Sequence, residues 1–227
     1  GNNNRLLITN SGAVFVGANA TIGNSGSGHE ITLSGGSLTV TNAAGTGTLD
    51  VRRGTLTLNS GTISVNQFVA NNGGNSVVTF NNGTLNTGGT TVSNGVVFTV
   101  GDGSQAATLS LQGGTHNFAN GLVIASNAQV RGAATIGGSV SNNGAINPGA
   151  SIGVMTVQSN CTQNSGGALA IEIGGIGSND VLAVGGAATL GGALNVTNVN
   201  GFTPALSNAF TILTAQTVSG AFAATNL

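Results

Sequence analysis

The sequence predicts an all-β protein folded as a right-handed parallel β-helix, a solenoid of roughly eight to ten coils. A short glycine-led phrase returns along the chain at intervals of about 18 to 31 residues, which is the scale of a repeat architecture. Apolar and polar residues alternate in runs of about four to six, the pattern of half-buried strands. The composition agrees, because 40 of the 227 residues are Gly and because Asn, Thr, Ser and Val are abundant.

The repeated phrase places a turn glycine before an alternating run, as in GSLTV at Gly36–Val40. The best internal match in the first half pairs Thr79–Thr84 with Ser110–Thr115, an offset of 31 residues. Coils of roughly 20 to 30 residues would fill this chain with about eight to ten of them. The phrase opens at Gly36, Gly54, Gly83, Gly144, Gly167 and Gly192.

Alternating pairs mark the expected strands. No window carries an amphipathic helical stripe, and the good surface helix formers are scarce, so we expect less than a tenth of the chain in helix. The pairs are Leu7 and Thr9, Val14 and Val16, Ile31 and Leu33, Leu38 and Val40, Leu49 and Val51, Leu56 and Leu58, Ile63 and Val65, Val78 and Phe80, Phe98 and Val100, Leu109 and Leu111, Met155 and Val157, and Ile171 and Ile173.

An antiparallel sandwich or barrel would also show many short strands, but it normally carries core aromatics and outward charges. Here the aromatic side chains are limited to eight Phe, with neither Trp nor Tyr, and charged residues make up 4% of the chain. A parallel β-helix fits better, with aliphatic side chains stacked inside and Asn, Ser and Thr bonded to their equivalents along the outside. We therefore expect one solenoid over residues 1–227, with irregular coils in 1–133 and stronger patterning in 134–227.

The charge and hydropathy of the chain exclude two classes of partner. Four arginines without any Lys, at a net charge of −1, cannot form a basic stripe for nucleic acid or for an anionic membrane surface. No apolar run reaches the roughly 18 residues of a membrane span, so we expect no membrane insertion. The first residue is not Met, and we expect the chain to be processed or cut from a longer one.

The second half carries a family resemblance. The stretch Ile136–Val157, IGGSVSNNGAINPGASIGVMTV, resembles the passenger-associated repeat of bacterial autotransporters and related secreted β-helix proteins. The stretches Cys161–Leu169, Asp180–Val196 and Phe210–Leu213 are similar to its continuation, although relatives usually carry Tyr where Cys161 stands. The resemblance covers about residues 105–222 and implies a secreted β-helix on or near a bacterial cell surface. It implies no chemistry, because the repeat is a scaffold signature.

One region has the composition of a catalytic cluster. Glu30 and Asp50 lie 20 residues apart, so they could stack in neighbouring coils as a glycosidase-like carboxylate pair, with His29, Arg52 and Arg53 close in sequence. The alternative is a solvated, charge-paired surface cluster. We expect the second, since a glycan groove normally offers stacking aromatics and the chain has neither Trp nor Tyr.

Three further features are candidate sites. Gly174–Asp180 is similar to a calcium-binding nonapeptide, but it is a single copy with its Asp one place late. His116 has no ligand partner in sequence and is expected to be a ladder or surface residue. Cys161 is expected at a semi-buried strand position, the alternative being a bond to a neighbouring subunit. We therefore predict no catalytic residue, no cofactor and no metal.

The function expected from these observations is structural: an extracellular solenoid subunit of a filament, stalk or matrix whose copies stack head to tail. Neither end of the sequence shows a polar cap or the Lys or Pro that would blunt a strand edge. The alternative for the ends is a longer passenger whose further coils cover them. The alternative function is an adhesin-like module, with a surface or glycan ligand and with loops displayed at Asn71–Ser76 and Asp102–Ala106. A polysaccharide-cleaving enzyme is the third.

Overall fold

The computed structural model describes residues 1–227 and is a β-solenoid of about eight turns, with 58% of residues in strands and 1% in helix. The predicted all-β class and parallel stacked coils are confirmed. All strand pairings are parallel except one short hairpin, which involves the end of a single strand. The parallel pairing of successive coils continues across residue 134 without a break.

The strands of the first half are long where they turn a corner without a break. They are β1 (Arg5–Val16), β2 (Ala20–Ile22), β3 (His29–Val40), β4 (Thr48–Val51), β5 (Gly54–Ala70), β6 (Ser76–Phe80), β7 (Gly83–Val92), β8 (Phe98–Val100), β9 (Ala107–Leu111) and β10 (Thr115–Phe118). The one helical element is a 3-10 turn at Gly73–Asn75.

The strands of the second half are shorter, and most occupy one side of a coil. They are β11 (Leu122–Ile124), β12 (Ala128–Arg131), β13 (Thr135–Gly137), β14 (Val140–Asn142), β15 (Ala145–Asn147), β16 (Val154–Val157), β17 (Cys161–Gln163), β18 (Ala168–Gly175), β19 (Ser178–Asn179), β20 (Val181–Val184), β21 (Ala187–Leu190), β22 (Ala193–Asn198), β23 (Leu213–Thr214), β24 (Thr217–Gly220) and β25 (Ala224–Asn226).

The parallel pairings define three faces that run the length of the solenoid. Face 1 begins with the first halves of β1, β3 and β5, continues through β6 and ends with β8, β11, β14, β17, β21 and β24. Face 2 begins with the second half of β1 and ends with β15, β18, β22 and β25. Face 3 begins with β2 and β4 and ends with β16, β20 and β23.

The core is a single continuous column of stacked aliphatic side chains. On face 2, every coil except the last contributes one inward aliphatic residue to the same ladder, and most members are fully buried. Burial of such side chains is the main favourable term in folding, and each neighbouring coil adds to it. The ladder runs Val14, Leu38, Ile63, Leu85, Leu109, Val130, Ile146, Leu169 and Leu194.

The recurring glycine phrase corresponds to one corner of the coil, with one exception. Gly36, Gly83, Gly144, Gly167 and Gly192 all precede the inward residue of face 2. Gly54 is the exception, because Leu56 pairs with Ile31 and Val78 on face 1. The equivalent phrase in that coil opens at Gly61. Strands on face 1 and face 2 show the same alternation after a glycine. The sequence alone therefore does not tell which face a given copy of the glycine phrase occupies.

Two register predictions differ from the structure. Ser110 pairs with Asn86 and not with Thr79, so the 31-residue match is not a coil repeat. In β1 the deeply buried residue is Ile8, while Leu7 is half exposed. Alternate residues of a strand point to opposite sides, so an assignment that is wrong by one residue exchanges the buried and exposed sets. The three consecutive aliphatic residues Leu6–Ile8 do not show which of them point inward.

Polar side chains form hydrogen-bonded ladders on the outside, as predicted. Asn81 donates to Asn59, with Nδ2 to Oδ1 at 2.8 Å, and Asn226 donates to Asn195 at 2.7 Å across 31 residues. The shortest such step joins residues 18 apart, where Nδ2 of Asn147 donates to Oε1 of Gln129 at 3.1 Å. These distances along the chain reproduce the predicted range of repeat lengths.

Candidate functional site

The charged residues near the N-terminal end do not form a carboxylate pair. Glu30 lies on face 1, where it pairs with Arg5 at 3.3 Å, whereas Asp50 lies on face 3. Oδ2 of Asp50 accepts from Nε and Nη2 of Arg52 at 2.9 and 2.7 Å. The expectation that Glu30 and Asp50 could stack is therefore wrong, because two different ladders of the coil hold them. Each carboxylate has its own arginine, as in the charge-paired alternative.

The other two residues of that cluster border a corner groove. The ring of His29 is 7% exposed, and its Nε2 donates to the carbonyl of Ser25 at 2.8 Å. The Arg53 side chain is exposed and lines a groove of about 430 Å³ together with Gly26–Glu30 and Gly54. This groove brings together Arg53, His29 and Glu30, and it leaves Asp50 out.

His116 is a ladder residue, fully buried between Thr90 and Ile136 on face 3. Its Nε2 lies 2.8 Å from the carbonyl of Gly113, which can only accept, so this nitrogen carries the proton. Nδ1 lies 2.9 Å from Oγ1 of Thr90 and accepts its hydroxyl proton. Burial lowers the pKa of His116, so the neutral ring is the form that fits this site.

Cys161 is buried in the face 1 ladder between Val140 and Ala188. Burial raises the pKa of its thiol to about 12, which suppresses the reactive thiolate. The strand position was predicted correctly, although the side chain is more deeply buried than expected. The burial of this side chain disfavours the alternative, a bond to a neighbouring subunit.

The segment Gly174–Asp180 forms the hairpin between β18 and β19, and its Asp serves the backbone. Asp180 is 3% exposed, and its Oδ1 and Oδ2 accept the amide protons of Gly153 and Glu172, both at 2.8 Å. Burial is the largest influence on the pKa of Asp180 and raises it, against these two hydrogen bonds. No three His, Cys, Asp or Glu side chains converge in a geometry suited to a metal ion.

The two loops expected to be displayed are exposed and internally braced. In Asn71–Ser76, the amide of Asn72 donates to Oγ of the buried Ser76 at 3.0 Å, and Nδ2 of Asn72 donates outside the loop to the carbonyl of Arg52 at 2.8 Å. In Asp102–Ala106, Oδ1 of Asp102 accepts from the amide and hydroxyl of Ser104, both at 2.8 Å, and from the amide of Gln105 at 3.2 Å. These bonds lower the pKa of Asp102.

The structure also forms a polar cavity that the sequence reasoning missed. Arg131, Asn147 and Glu172 line it, with Gln129 beside them and Asp180 at its edge. Arg131 and Glu172 are far apart in sequence, and only the ladder register shows that they share the outside of face 2. The sequence did show that each residue occupies an outward-facing position in the alternating pattern of its own strand.

No helix in the structure has the length and apolarity that crossing a bilayer requires.

No family model matches the chain, and no curated protein or solved structure is significantly similar to it. The parallel β-solenoid architecture therefore stands on the strand pairing and the sequence pattern alone.

Proposed function

We propose that this protein is an extracellular structural β-solenoid whose copies stack end to end in a surface filament, stalk or matrix. The observation that carries the proposal is that both end coils present open parallel strand edges, next to inward-facing residues, Leu6 and Val218, that remain partly exposed. The resemblance of residues 105–222 to the autotransporter passenger-associated repeat supports the bacterial surface location.

The N-terminal end exposes one edge of β1 and of β2. β1 pairs only with β3, and β2 pairs only with β4. Leu6 belongs to the inward ladder of Ile31 and Leu56, yet it is 37% exposed, while Leu56 is 2% exposed. Because the backbone groups of a free edge and an uncovered core both favour a further strand, this end is suited to receive another coil.

The C-terminal end has the same properties. β24 pairs only with β21, and β25 pairs only with β22. Val218 continues the buried ladder of Cys161 and Ala188, but it is 55% exposed. Residues 181–227 contain no charged side chain that would oppose the approach of a second edge. Contact between two different ends of a molecule does not close on itself, so it produces a linear assembly.

The substitution Val218→Lys tests this proposal, because it places a charge on the core surface that stacking would bury. We expect the wild-type 227-residue chain to self-associate in sedimentation velocity runs at micromolar concentration, and the V218K variant to remain monomeric. Val96→Lys is the matched control, since Val96 is 59% exposed but lies in a loop away from both ends. V96K should assemble like the wild type.

A wild-type chain that stays monomeric at all concentrations contradicts the stacking of copies. An adhesin-like module that displays its loops from a monomeric solenoid would give that result. Assembly that survives V218K would place the contact elsewhere on the molecule and would equally contradict the proposal.

A further inference from the structure

We propose that the polar cavity on the outside of face 2 binds one unit of an uncharged saccharide. The cavity has a volume of about 260 Å³ and lies between β12, β15, β18 and the loop 148–153. It opens on the side of the solenoid and also reaches Thr197 of β22, but none of its lining residues belongs to β1 or to β23, β24 and β25. The inference therefore goes beyond the stacking of copies and does not depend on it.

The first observation is the placement of charge. In a chain with 4% charged residues, Arg131, Glu172 and Asp180 all border this one cavity. Arg131 and Glu172 form no ion pair, whereas the two ion pairs of the chain occupy Arg5 with Glu30 and Arg52 with Asp50. A strong donor and a strong acceptor thus face the same space without satisfying each other.

The second observation is that the wall of the cavity is fixed. The loop 148–153 is tied at its start, where the Gly132 amide donates to the carbonyl of Gly149 at 3.1 Å. It is tied at its end by the bond from the Gly153 amide to Oδ1 of the buried Asp180. Oδ2 of Asp180 holds the backbone of Glu172 as well. A site whose wall is already ordered loses less conformational entropy when a ligand binds.

The third observation is the set of hydrogen-bonding atoms that remain free. Nε2 of Gln129 donates to Oγ1 of Thr108 at 3.1 Å, and Nδ2 of Asn147 donates to Oε1 of Gln129 at 3.1 Å. This directional ladder leaves Oδ1 of Asn147 as an acceptor at the cavity. Together with the guanidinium of Arg131 and the carboxylate of Glu172, it provides both donors and acceptors around the small side chain of Ala170.

The chemistry of these groups selects an uncharged polyhydroxyl ligand. A sugar hydroxyl both donates and accepts, so adjacent hydroxyls can bond Arg131 and Glu172 together. An anionic ligand would meet Glu172, and a cationic ligand would meet Arg131. The volume lies below the range of about 300 to 1,000 Å³ typical of drug-sized ligands, which limits the occupant to about one sugar ring.

The test is a titration with methyl glycosides in the V218K background, which is monomeric whether or not the wild-type chain stacks, followed by the backbone amide signals of Arg131, Asn147 and Glu172. R131Q and E172Q are made in the same background. The panel contains neutral hexosides, an N-acetylhexosaminide and a uronic acid glycoside. We expect at least one uncharged glycoside to shift these signals saturably, and R131Q and E172Q each to weaken its affinity about tenfold, the effect of losing one charged hydrogen bond.

The matched controls are R53Q and E30Q, which remove the same groups from the N-terminal corner groove and should leave the affinity unchanged. The proposal is overturned if no glycoside shifts the three signals, if R131Q and E172Q bind as the V218K parent does, or if only the uronic acid binds. Each of these results leaves the stacking of copies untouched, since sedimentation measures that separately.

Discussion

At the residue scale, the glycines between faces 1 and 2 are dictated by contact between successive coils. Gly61 adopts φ +93°, and a Cβ at this position would lie 2.5 Å from the carbonyl oxygen of Gly36. The same contact recurs one coil later, where a Cβ on Gly83 would lie 2.5 Å from the carbonyl of Gly61. These glycines are therefore required twice, by their backbone conformation and by the spacing of the coils.

The substitution Gly61→Ala tests this double requirement. We expect a loss of about 3 kcal/mol in the free energy of unfolding, from left-handed strain and from a clash with backbone that cannot move aside. Gly45→Ala is the control, because Gly45 has φ +71° and a methyl group there would meet no atom within 4 Å. It should cost about 1 kcal/mol. Equal losses in denaturant titrations of the two variants would show that coil contact adds nothing.

Also at the residue scale, His116 makes the stability depend on pH. Its pKa is lowered in the folded protein by burial, so the unfolded chain binds the proton more readily. The stabilising contribution is complete above the unfolded value of 6.5 and decreases as the pH falls from there toward the lowered folded pKa. Protonation of Nδ1 would also remove the acceptor of the Thr90 hydroxyl.

We therefore expect Tm to fall between about pH 7.5 and about pH 5.5, measured by thermal unfolding followed by circular dichroism. The variant His116→Gln should be less stable at the upper end of this range and should lose most of the slope, because it has no titrating ring. A wild-type Tm that is constant over this range would contradict the assignment of a neutral, buried ring.

At the element scale, Asp180 joins three segments of the second half. Its carboxylate connects the start of β16 to β18 through the amides of Gly153 and Glu172, while its own amide donates to the carbonyl of Glu172 at 2.9 Å. Two backbone donors thus depend on one side chain. These bonds offset only part of the cost of burying this carboxylate, since its pKa is still raised.

The substitution Asp180→Asn should loosen this junction, because an amide has one oxygen and its NH2 would face the second backbone donor. We expect a loss of about 1 to 3 kcal/mol and faster hydrogen exchange at the amides of Gly153 and Glu172. Asp102→Asn is the control, since all three bonds of Asp102 end on Oδ1, which Asn retains. Unchanged exchange in D180N would show that the two bonds do not hold the loop.

At the scale of the whole molecule, stability and assembly both rest on apolar contact and backbone pairing. The two ion pairs are partly exposed and contribute little. Because the proposed end contact carries no charge at the C-terminal coil, self-association in the sedimentation experiment should be insensitive to added NaCl. Assembly that dissolves in salt would indicate an electrostatic contact.

Much of the fold could be predicted because its signals are local. The alternating pairs, from Val14 and Val16 to Ile171 and Ile173, all lie in strands. The polar ladders were predicted from the supply of Asn, Ser and Thr, and the low helix content from the lack of helix formers. Burial of Cys161 and the ladder position of His116 also followed from their strand context.

The sequence by itself determined the fold class, the repeat length and the turn chemistry, because strand parity and corner glycines are local properties. Only the tertiary structure decided which face each phrase occupies, that Glu30 and Asp50 belong to different ladders, and that Arg131 meets Glu172 over one cavity. These are relations between coils. They depend on register, which the stacking of the whole core sets and which no single strand encodes.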